Sequence, residues 1–138
     1  MLLRLAAIFL GVIITLGIGQ SAFAYGNVSL TSPIMVDASG HSITKFNVGQ
    51  EIGVESTLTN NGNSEQKFTY LVQVKNTSGQ TQYLEGFSAS MLSKQSFTAS
   101  QVWIPKEPGQ YEIQVFVWDS LVSGIPLTNV LQTQISVN

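Results

Sequence analysis

The chain has 138 residues, no cysteine and a formal net charge of −2 at pH 7. This length fits one domain with one hydrophobic core, and the lack of cysteine excludes disulfides as a source of stability. Beyond Ala24, eight acidic residues outnumber five lysines, arginine is absent, and the net charge is −3. This balance argues against nucleic acid or an anionic membrane surface as the main ligand, since both are usually met with a basic patch.

The N-terminal segment has the layout of a secretory signal peptide. Arg4 supplies a positive charge, the apolar run Leu5–Ile18 follows, and two alanines separated by one residue, Ala22 and Ala24, end the segment. Small side chains at these two positions match the −3 and −1 sites that signal peptidase requires. Cleavage is therefore predicted after Ala24.

The alternative for this segment is an uncleaved helical anchor. Its apolar stretch is only a little shorter than the ~20 residues that span a bilayer. Both interpretations predict export, with a signal peptide over 1–24 and one domain over 25–138. The predicted location is extracellular or at the cell surface, and membrane contact is expected only through an uncleaved leader.

The rest of the chain alternates apolar and polar residues, which is the period of strands with one buried face. The predicted strands cover residues 28–36, 50–60, 68–76, 82–87, 96–104, 109–119 and 130–137. Turn residues separate them, and no helical period occurs among them. The sequence predicts an all-β, immunoglobulin-like antiparallel β-sandwich of about seven strands, preceded by a hydrophobic signal helix.

The first predicted strand has an interruption. Its buried face is expected to hold four apolar residues at even positions, namely Val28, Leu30, Ile34 and Val36. Pro33 cannot donate a ladder hydrogen bond, so this strand is expected at a sheet edge or at a switch between sheets.

The fifth predicted strand has an irregular phase. Phe97 and Trp103 share one parity, whereas Val102 and Ile104 share the other. This pattern predicts a bulge or a change of sheet within the strand.

The third and sixth predicted strands suggest an interaction patch. Their inner faces are predicted to hold Phe68, Tyr70, Val72 and Val74, and Tyr111, Ile113, Val115 and Val117. Leu71, Phe116 and Trp118 then point outward, and because these strands are neighbours in immunoglobulin-like topology, they would form one exposed apolar patch. The alternatives are that the leader, a loop or a partner covers the patch, or that the strands are buried on both faces.

Three short motifs carry a family resemblance. They are Val48-Gly49-Gln50, Leu58-Thr59-Asn60-Asn61-Gly62 and Pro108-Gly109-Gln110-Tyr111. Together they resemble CARDB-type domains, the immunoglobulin-like modules of prokaryotic cell-surface proteins. The overall layout is also similar to small secreted proteins of ammonia-oxidising archaea. The resemblance implies a surface module of sandwich fold.

The same motifs predict local structure. Asn60, Asn61 and Gly62 are residues that tolerate a positive φ at a tight reversal. Tyr111, two positions after Gly109, suits a structural tyrosine corner, in which the ring is buried and the hydroxyl bonds nearby backbone.

Catalytic and metal-binding patterns are weak in this chain. His41 is the only histidine, so a triad would need it with Asp37 or Asp119, and no serine lies in a nucleophile-elbow context. One histidine without cysteine excludes copper and zinc clusters, and the acids lack calcium-loop spacing, so neither a metal nor a cofactor is predicted. Glu51 and Glu55 lie on one strand face and are interpreted as solubilising charges.

Two triplets, Asn27-Val28-Ser29 and Asn76-Thr77-Ser78, match the N-glycosylation acceptor pattern. The alternative is that a chain rich in Asn, Ser and Thr carries such triplets by chance.

The leading hypothesis is a secreted or surface-attached, non-enzymatic module for protein-protein interaction, adhesion or surface assembly, with another protein or a second copy as partner. The alternative is a carbohydrate-binding module in which Trp118 and Phe116, with Tyr83 or Phe87, stack on sugar rings. A third hypothesis, an enzyme, would require a pocket around His41 or a carboxylate pair.

Overall fold

The computed structural model describes residues 26–138. Eight strands form the domain: β1 Val28–Leu30, β2 Ile34–Val36, β3 Ile52–Asn60, β4 Gln66–Asn76, β5 Thr81–Met91, β6 Ser96–Trp103, β7 Gly109–Trp118 and β8 Leu131–Val137. Within these residues no helix is long and apolar enough to cross a membrane. The predicted signal helix and its cleavage site at Ala22 and Ala24 lie outside the described residues.

The strands form two antiparallel sheets. In one sheet β1 and β2 both pair with β3, and β3 pairs with β6. The second sheet has the order β5-β4-β7-β8. The predicted all-β sandwich is confirmed, and so is the predicted neighbourhood of the third and sixth strands, which are β4 and β7.

The core lies between the sheets, and every second residue of β4 and β7 contributes to it; burial alternates along β7, whereas on β4 the outer-face residues Thr69 and Leu71 are buried as well. The predicted inner-face residues are buried: Phe68, Tyr70, Val72, Val74, Tyr111, Ile113, Val115 and Val117. Ile52, Val54 and Leu58 of β3 close the core from the other sheet with no exposed surface. Burying each such side chain contributes roughly 1.5–3 kcal/mol, so this alternation is the main source of the fold's stability.

The first predicted strand is confirmed at a sheet edge, but its predicted phase is wrong beyond Pro33. Leu30 pairs with Leu58, and Ile34 pairs with Glu55. Between these two pairs the chain advances four residues on this strand but only three on β3. One extra residue exchanges the two faces. Ile34 is consequently 48% exposed, whereas Met35 takes the core position.

The exchange of the two faces after Pro33 also determines the position of Val36. It is buried, but it lies on the outer side of its sheet, where its side chain covers Gly53. After β2 the chain crosses to the second sheet, where Phe46 forms a parallel bridge with Val137 of β8. The first predicted strand itself does not switch between sheets, because β1 and β2 both pair with β3; the chain crosses only in the segment that follows β2.

A bulge or sheet change was predicted for residues 96–104, which contain β6 of the structure. It is absent from the pairing of β6 with β3. The register runs without a break from Ile52 opposite Trp103 to Thr59 opposite Ser96. Trp103 faces the core, and the opposite parity leaves Val102 52% exposed. The irregular hydrophobic phase therefore reflects an exposed valine and not a distorted backbone.

The turn after β3 also differs from expectation. In residues 26–138 the positive φ angles belong to Lys94 and six glycines, and Gly62 is not among them. Asn60 is instead buried, with its amide nitrogen donating to the carbonyls of Ser64, Met91 and Leu92. Its amide oxygen accepts the N–H of Gly62, so one side chain ties two loops at this end of the sandwich.

Candidate interaction surface

The outer face of the β5-β4-β7-β8 sheet brings the predicted patch residues together. Leu71 of β4 lies directly opposite Phe116 of β7. The rings of Phe116 and Trp118 pack edge to face, with centroids 5.9 Å apart and an interplanar angle of 64°. Both aromatic side chains are half-buried. The three residues are therefore neighbours on one face.

Leu71 is not exposed, contrary to the sequence prediction. Its side chain is only 8% accessible although it lies on the outer face. It pairs across β5 with Gly86, and a Cβ at Gly86 would come within 2.8 Å of the Leu71 Cδ2 atom. Gly86, Leu71 and Phe116 therefore form one row across three strands, in which Leu71 packs over the backbone of Gly86.

Two exposed aliphatic residues extend the patch on either side. Leu84 of β5 is 56% exposed, and Val130, directly before β8, is 48% exposed. We define the outer patch as Phe116, Trp118, Leu84 and Val130. The four residues come from three segments of the sheet, so the patch exists only in the folded domain.

The remainder of this outer face is polar. Gln73, Gln114 and Gln132 lie in one row across three strands, and a Gln114 amide N–H donates to Gln132 at 3.5 Å. Beyond this row, Lys75 and Glu112 form an ion pair at 3.4 Å. Leu84 lies opposite Gln73 at the end of the glutamine row, so the apolar and amide-rich parts of the face meet at this row.

The ring geometry limits what the patch can bind. A flat sugar platform needs coplanar rings, and the 64° angle leaves only one of Phe116 and Trp118 free to stack on a given plane. Phe87 packs inward against Phe68 with centroids 6.1 Å apart. Tyr83 is half-buried and its hydroxyl donates to Gln101. The proposed stacking roles of Phe87 and Tyr83 therefore do not fit their positions.

Tyr111 lies where the sequence pattern placed it. Its ring packs edge to face against Trp103 with centroids 4.8 Å apart. Its hydroxyl donates to the carbonyl of Glu107 at 2.6 Å, four residues upstream, and burial raises its pKa. This is the geometry of a tyrosine corner at the turn between β6 and β7.

The two ends of the sandwich carry surface features that the sequence pattern did not predict. A groove of about 480 Å³ lies where β6 ends and β7 begins, and its lining is mixed: polar Gln82, Lys106 and Glu107 lie beside Tyr83, Val102, Trp103, Ile104 and Tyr111. At the opposite end, the β7–β8 loop exposes Leu121, Val122 and Ile125. Loop residues have no strand period, so only their number in a short uncharged stretch could have indicated this surface.

The candidate catalytic residues Asp37 and His41 lie in a surface loop after β2 and not in a cleft. His41 Nδ1 lies 3.7 Å from Asp37 Oδ2, with the two side chains 80% and 38% exposed. The Asp37 carboxylate accepts the N–H groups of Ser39 and His41, and the latter bond is the main reason that its pKa is lowered. Asp119 lies at the other end of the sandwich, in the β7–β8 loop. The structure therefore does not bring Asp119 to His41.

Carboxylates are scattered over the described surface. Glu51 is exposed directly before β3, and Glu55 is half-buried on the outer face of that strand. Between residues 26 and 138, no group of three or more His, Cys, Asp or Glu side chains is placed to hold a metal ion.

The two acceptor asparagines differ in their surroundings. Asn27 is exposed directly before β1. Asn76 is half-buried, and its amide group bonds to the backbone of Ser78 and to both backbone and side chain of Gln80 in the β4–β5 turn. Asn27 is therefore the more accessible acceptor in the folded domain.

The sequence matches the model of the S-layer A-like family over residues 15–138. The chain belongs to the S-layer A-like family. No curated protein matches it in sequence. The family assignment agrees with the surface module that the short motifs implied.

Solved structures share the fold of this S-layer A-like chain. A CARDB domain from Pyrococcus furiosus, solved in complex with di-metal ions, is 19% identical, with a TM-score of 0.59 over 85% of this chain and 97% of that one. A β-glucosidase from Listeria innocua is 14% identical, with a TM-score of 0.60 over 82% of this chain. At these identities the matches show the immunoglobulin-like fold alone.

The Listeria comparison concerns one part of a larger enzyme. The S-layer A-like chain spans only 16% of the length of that β-glucosidase chain. An alkylpurine DNA glycosylase from Pseudomonas fluorescens also matches, at 14% identity and a TM-score of 0.57, over 82% of this chain and 31% of that one. The same sandwich is therefore used in proteins of different activities, and function must be argued from the surface.

Proposed function

We propose that the chain is a non-enzymatic module of the cell surface that binds another protein through the outer patch. The family supports the location, and the half-exposed pair Phe116 and Trp118 carries the proposal. Aromatic residues on a rigid sheet bury a large area at a small entropic cost, and they dominate the energetics of many protein interfaces.

The composition of the outer patch resembles that of a protein-protein interface. Leu71 lies directly opposite Phe116 on the neighbouring strand, packs over Gly86 and is only 8% exposed. Leu84 and Val130 add exposed aliphatic area at the rim. A central aromatic pair with an aliphatic surround resembles the apolar centre of an interface, and the neighbouring glutamines resemble its polar rim.

A paired-variant experiment tests this proposal. Phe116→Ser with Trp118→Ser removes the aromatic pair, and Gln114→Ser with Gln132→Ser is a matched double change on the same face. Each protein is immobilised and exposed to a detergent extract of the native cell envelope, and bound proteins are quantified by mass spectrometry. We expect at least one protein to be retained by wild type and by the glutamine variant but lost from the aromatic variant. Equal retention by all three would contradict the proposal.

Carbohydrate binding is the second candidate function. Its supporting observation is that the Gln114 amide lies on the same face as Phe116 and Trp118, as in sites that combine stacking with hydrogen bonds. The 64° angle between the rings weakens it. A glycan array that gives no signal with wild type would remove this candidate.

A further inference from the structure

The β7–β8 loop exposes three aliphatic side chains at the end of the sandwich where β7 stops. Leu121 is 64% exposed, Val122 is 99% exposed and Ile125 is 57% exposed. We call these three residues the loop tip. Residues 120–130 contain no charged side chain. A cluster of exposed aliphatic residues without charge is a feature of interaction surfaces.

The loop is held together by Asp119, the residue directly before it. The Oδ1 atom of Asp119 accepts the N–H of Ser120 at 2.6 Å and of Ile125 at 3.0 Å, and it also accepts the Ser123 hydroxyl. Gly124, with a φ of +62°, completes the turn by donating its N–H to the Ser120 carbonyl. The loop tip is therefore ordered before it meets a partner, which reduces the entropic cost of burying it.

The chain enters the domain beside this loop. Gly26 is the first residue that the structure describes, and a Cβ placed on it would lie 3.7 Å from Leu127 Cδ2. Leu127 belongs to the β7–β8 loop, and its N–H donates to the carbonyl of Val117 near the end of β7. The N-terminal leader therefore joins the domain at the end that carries the loop tip.

The sequence limits the distance between this end and a retained leader. The apolar run Leu5–Ile18 ends eight residues before Gly26. Eight residues span at most about 28 Å when they are fully extended. In a form of the protein that keeps its leader in a bilayer, the domain is therefore tethered close to that bilayer. A short tether gives the loop tip a high effective concentration at the lipid surface.

The positions of the charges favour this end over the opposite one for contact with lipid. At the opposite end, the exposed Val102 and Ile104 line the same groove as Lys106 and Glu107. Inserting that end would bring both charges toward hydrocarbon, which is costly. At the loop end, the Oδ1 atom of Asp119 already accepts its hydrogen bonds from within the loop. The loop tip can therefore be buried without moving a charge with it.

We propose that the loop tip inserts into the apolar boundary of a lipid bilayer, beside the point where the chain enters the domain. Glu65 and Lys94 are exposed in the other loops at this end, so insertion is limited to the tip. A depth of about 5–10 Å is usual for segments that lie at a membrane interface. This inference goes beyond the proposed function, since it uses neither Phe116 nor Trp118 and its partner is lipid.

A fluorescent label on the loop tip tests the proposal, because the natural chain has no cysteine. The full chain with Val122→Cys is labelled with the environment-sensitive dye NBD and reconstituted into phosphatidylcholine vesicles. This neutral lipid is chosen because the net charge beyond Ala24 is −3. The measurement is the quenching of the dye by added lipid that carries a spin label near the top of its acyl chain.

The matched control is the full chain with Val48→Cys, labelled in the same way. Val48 is the same residue type, is 44% exposed, and lies at the opposite end, where its N–H donates to the carbonyl of Asn138 after β8. We expect quenching to be roughly threefold stronger at position 122, because only that dye lies at the depth of the acyl chains. Equal quenching at the two positions, or a chain that does not float with the vesicles, would overturn the proposal.

Further variants of the labelled Val122→Cys chain separate this proposal from other outcomes. Adding Phe116→Ser and Trp118→Ser is expected to leave the quenching unchanged, so that failure of the outer patch and failure of the loop tip are distinguishable. Adding Leu121→Ser and Ile125→Ser is expected to reduce the quenching to that of the Val48 site. Quenching that persists after these two changes would show that the dye alone enters the lipid, and it would overturn the proposal.

A protein partner for the loop tip is the remaining outcome. Wild type and the Leu121→Ser, Ile125→Ser variant, both unlabelled, are immobilised and exposed to the detergent extract of the cell envelope. We expect both to retain the same proteins, because the loop tip is proposed to contact lipid. A protein that only wild type retains, combined with equal quenching at positions 122 and 48, would assign the tip to a protein and overturn the proposal.

Discussion

The domain contains two aromatic groups with similar ring spacing and different surroundings. Inside the sandwich, Phe68, Phe87 and Phe97 contact one another with centroid distances of 5.6–6.1 Å. On the outer face, Phe116 and Trp118 are 5.9 Å apart. In the inner group Phe68 is 1% exposed, and the half-buried Phe87 and Phe97 pack against the core between the two sheets. The outer pair is also half-buried, but it lies on the outer face of its sheet.

Strand parity, and not residue type, therefore decides which aromatic side chains pack into the core and which lie on the outer face. Phe116 alternates with the buried Val115 and Val117 on β7, so one step along the strand moves a side chain from the core to the surface. The inner group stabilises the fold by removing apolar area from water. The outer pair leaves part of its area available to a partner.

The largest expected effect distinguishes the two groups by stability. Phe68→Ala removes a side chain that is 1% exposed, and it should lower the free energy of unfolding by about 3–5 kcal/mol through lost burial and a cavity. Urea unfolding followed by far-UV circular dichroism measures the change. Phe116→Ala is the matched variant on the outer face and should cost clearly less. Equal losses in the two variants would show that the outer pair is as much a part of the core as Phe68.

The next effect concerns the close packing of Leu71 against Gly86, in the same row of the sheet as Phe116. In Gly86→Ala the new Cβ would lie 2.1 Å from the Tyr70 carbonyl oxygen and 2.8 Å from Leu71 Cδ2, so backbone or side chain must move. We expect a loss of about 1–3 kcal/mol in unfolding free energy, as for other overpacked sites. Leu84→Ala, on the same strand and 56% exposed, is the control and should be nearly neutral. A neutral Gly86→Ala would mean that Leu71 has room to move away.

The sequence predicted the inner group well because alternation is a local property. The period-2 pattern of 68–76 and 109–119 was sufficient to assign the core face of β4 and β7. The pattern failed beyond Pro33, where one extra residue against β3 exchanged the faces and left Ile34 outside. Register depends on the partner strand, and the sequence of one strand does not contain it.

The outer patch was only partly predictable for a related reason. Parity placed Leu71, Phe116 and Trp118 on one face, but the burial of Leu71 depends on Gly86, which lies on the neighbouring strand. The exposed residues Leu121, Val122 and Ile125 of the β7–β8 loop were missed because loop residues have no strand period. Sequence reasoning therefore found which side of a strand faces outward, and only the folded structure showed what is accessible there.

A moderate effect is expected for Tyr70, which makes the stability of the fold depend on pH. The Tyr70 hydroxyl donates to the Val54 carbonyl at 3.2 Å, and burial raises the pKa of Tyr70 to about 12. Because folding raises this pKa above the ordinary value of 10.0, the stabilising contribution is complete below pH ~10 and is lost as pH rises through 12. Tyr70→Phe should cost about 1 kcal/mol at pH 7 and should reduce the alkaline loss of stability. Urea unfolding at pH 7 and pH 11 measures both quantities, and an unchanged alkaline loss would contradict this role for Tyr70.

The smallest effect on stability should come from the outer pair, where the spectroscopic effect is large. Trp103 is 5% exposed in the core, whereas Trp118 is half-buried on the outer patch. Trp118→Phe should change the unfolding free energy by no more than about 0.5 kcal/mol, as is usual for surface substitutions. It should also remove the part of the tryptophan emission that acrylamide quenches and leave the blue-shifted emission of Trp103. If the Trp118→Phe protein is still quenched as strongly as wild type, Trp103 is open to solvent, and the contrast between a buried Trp103 and an accessible Trp118 does not hold.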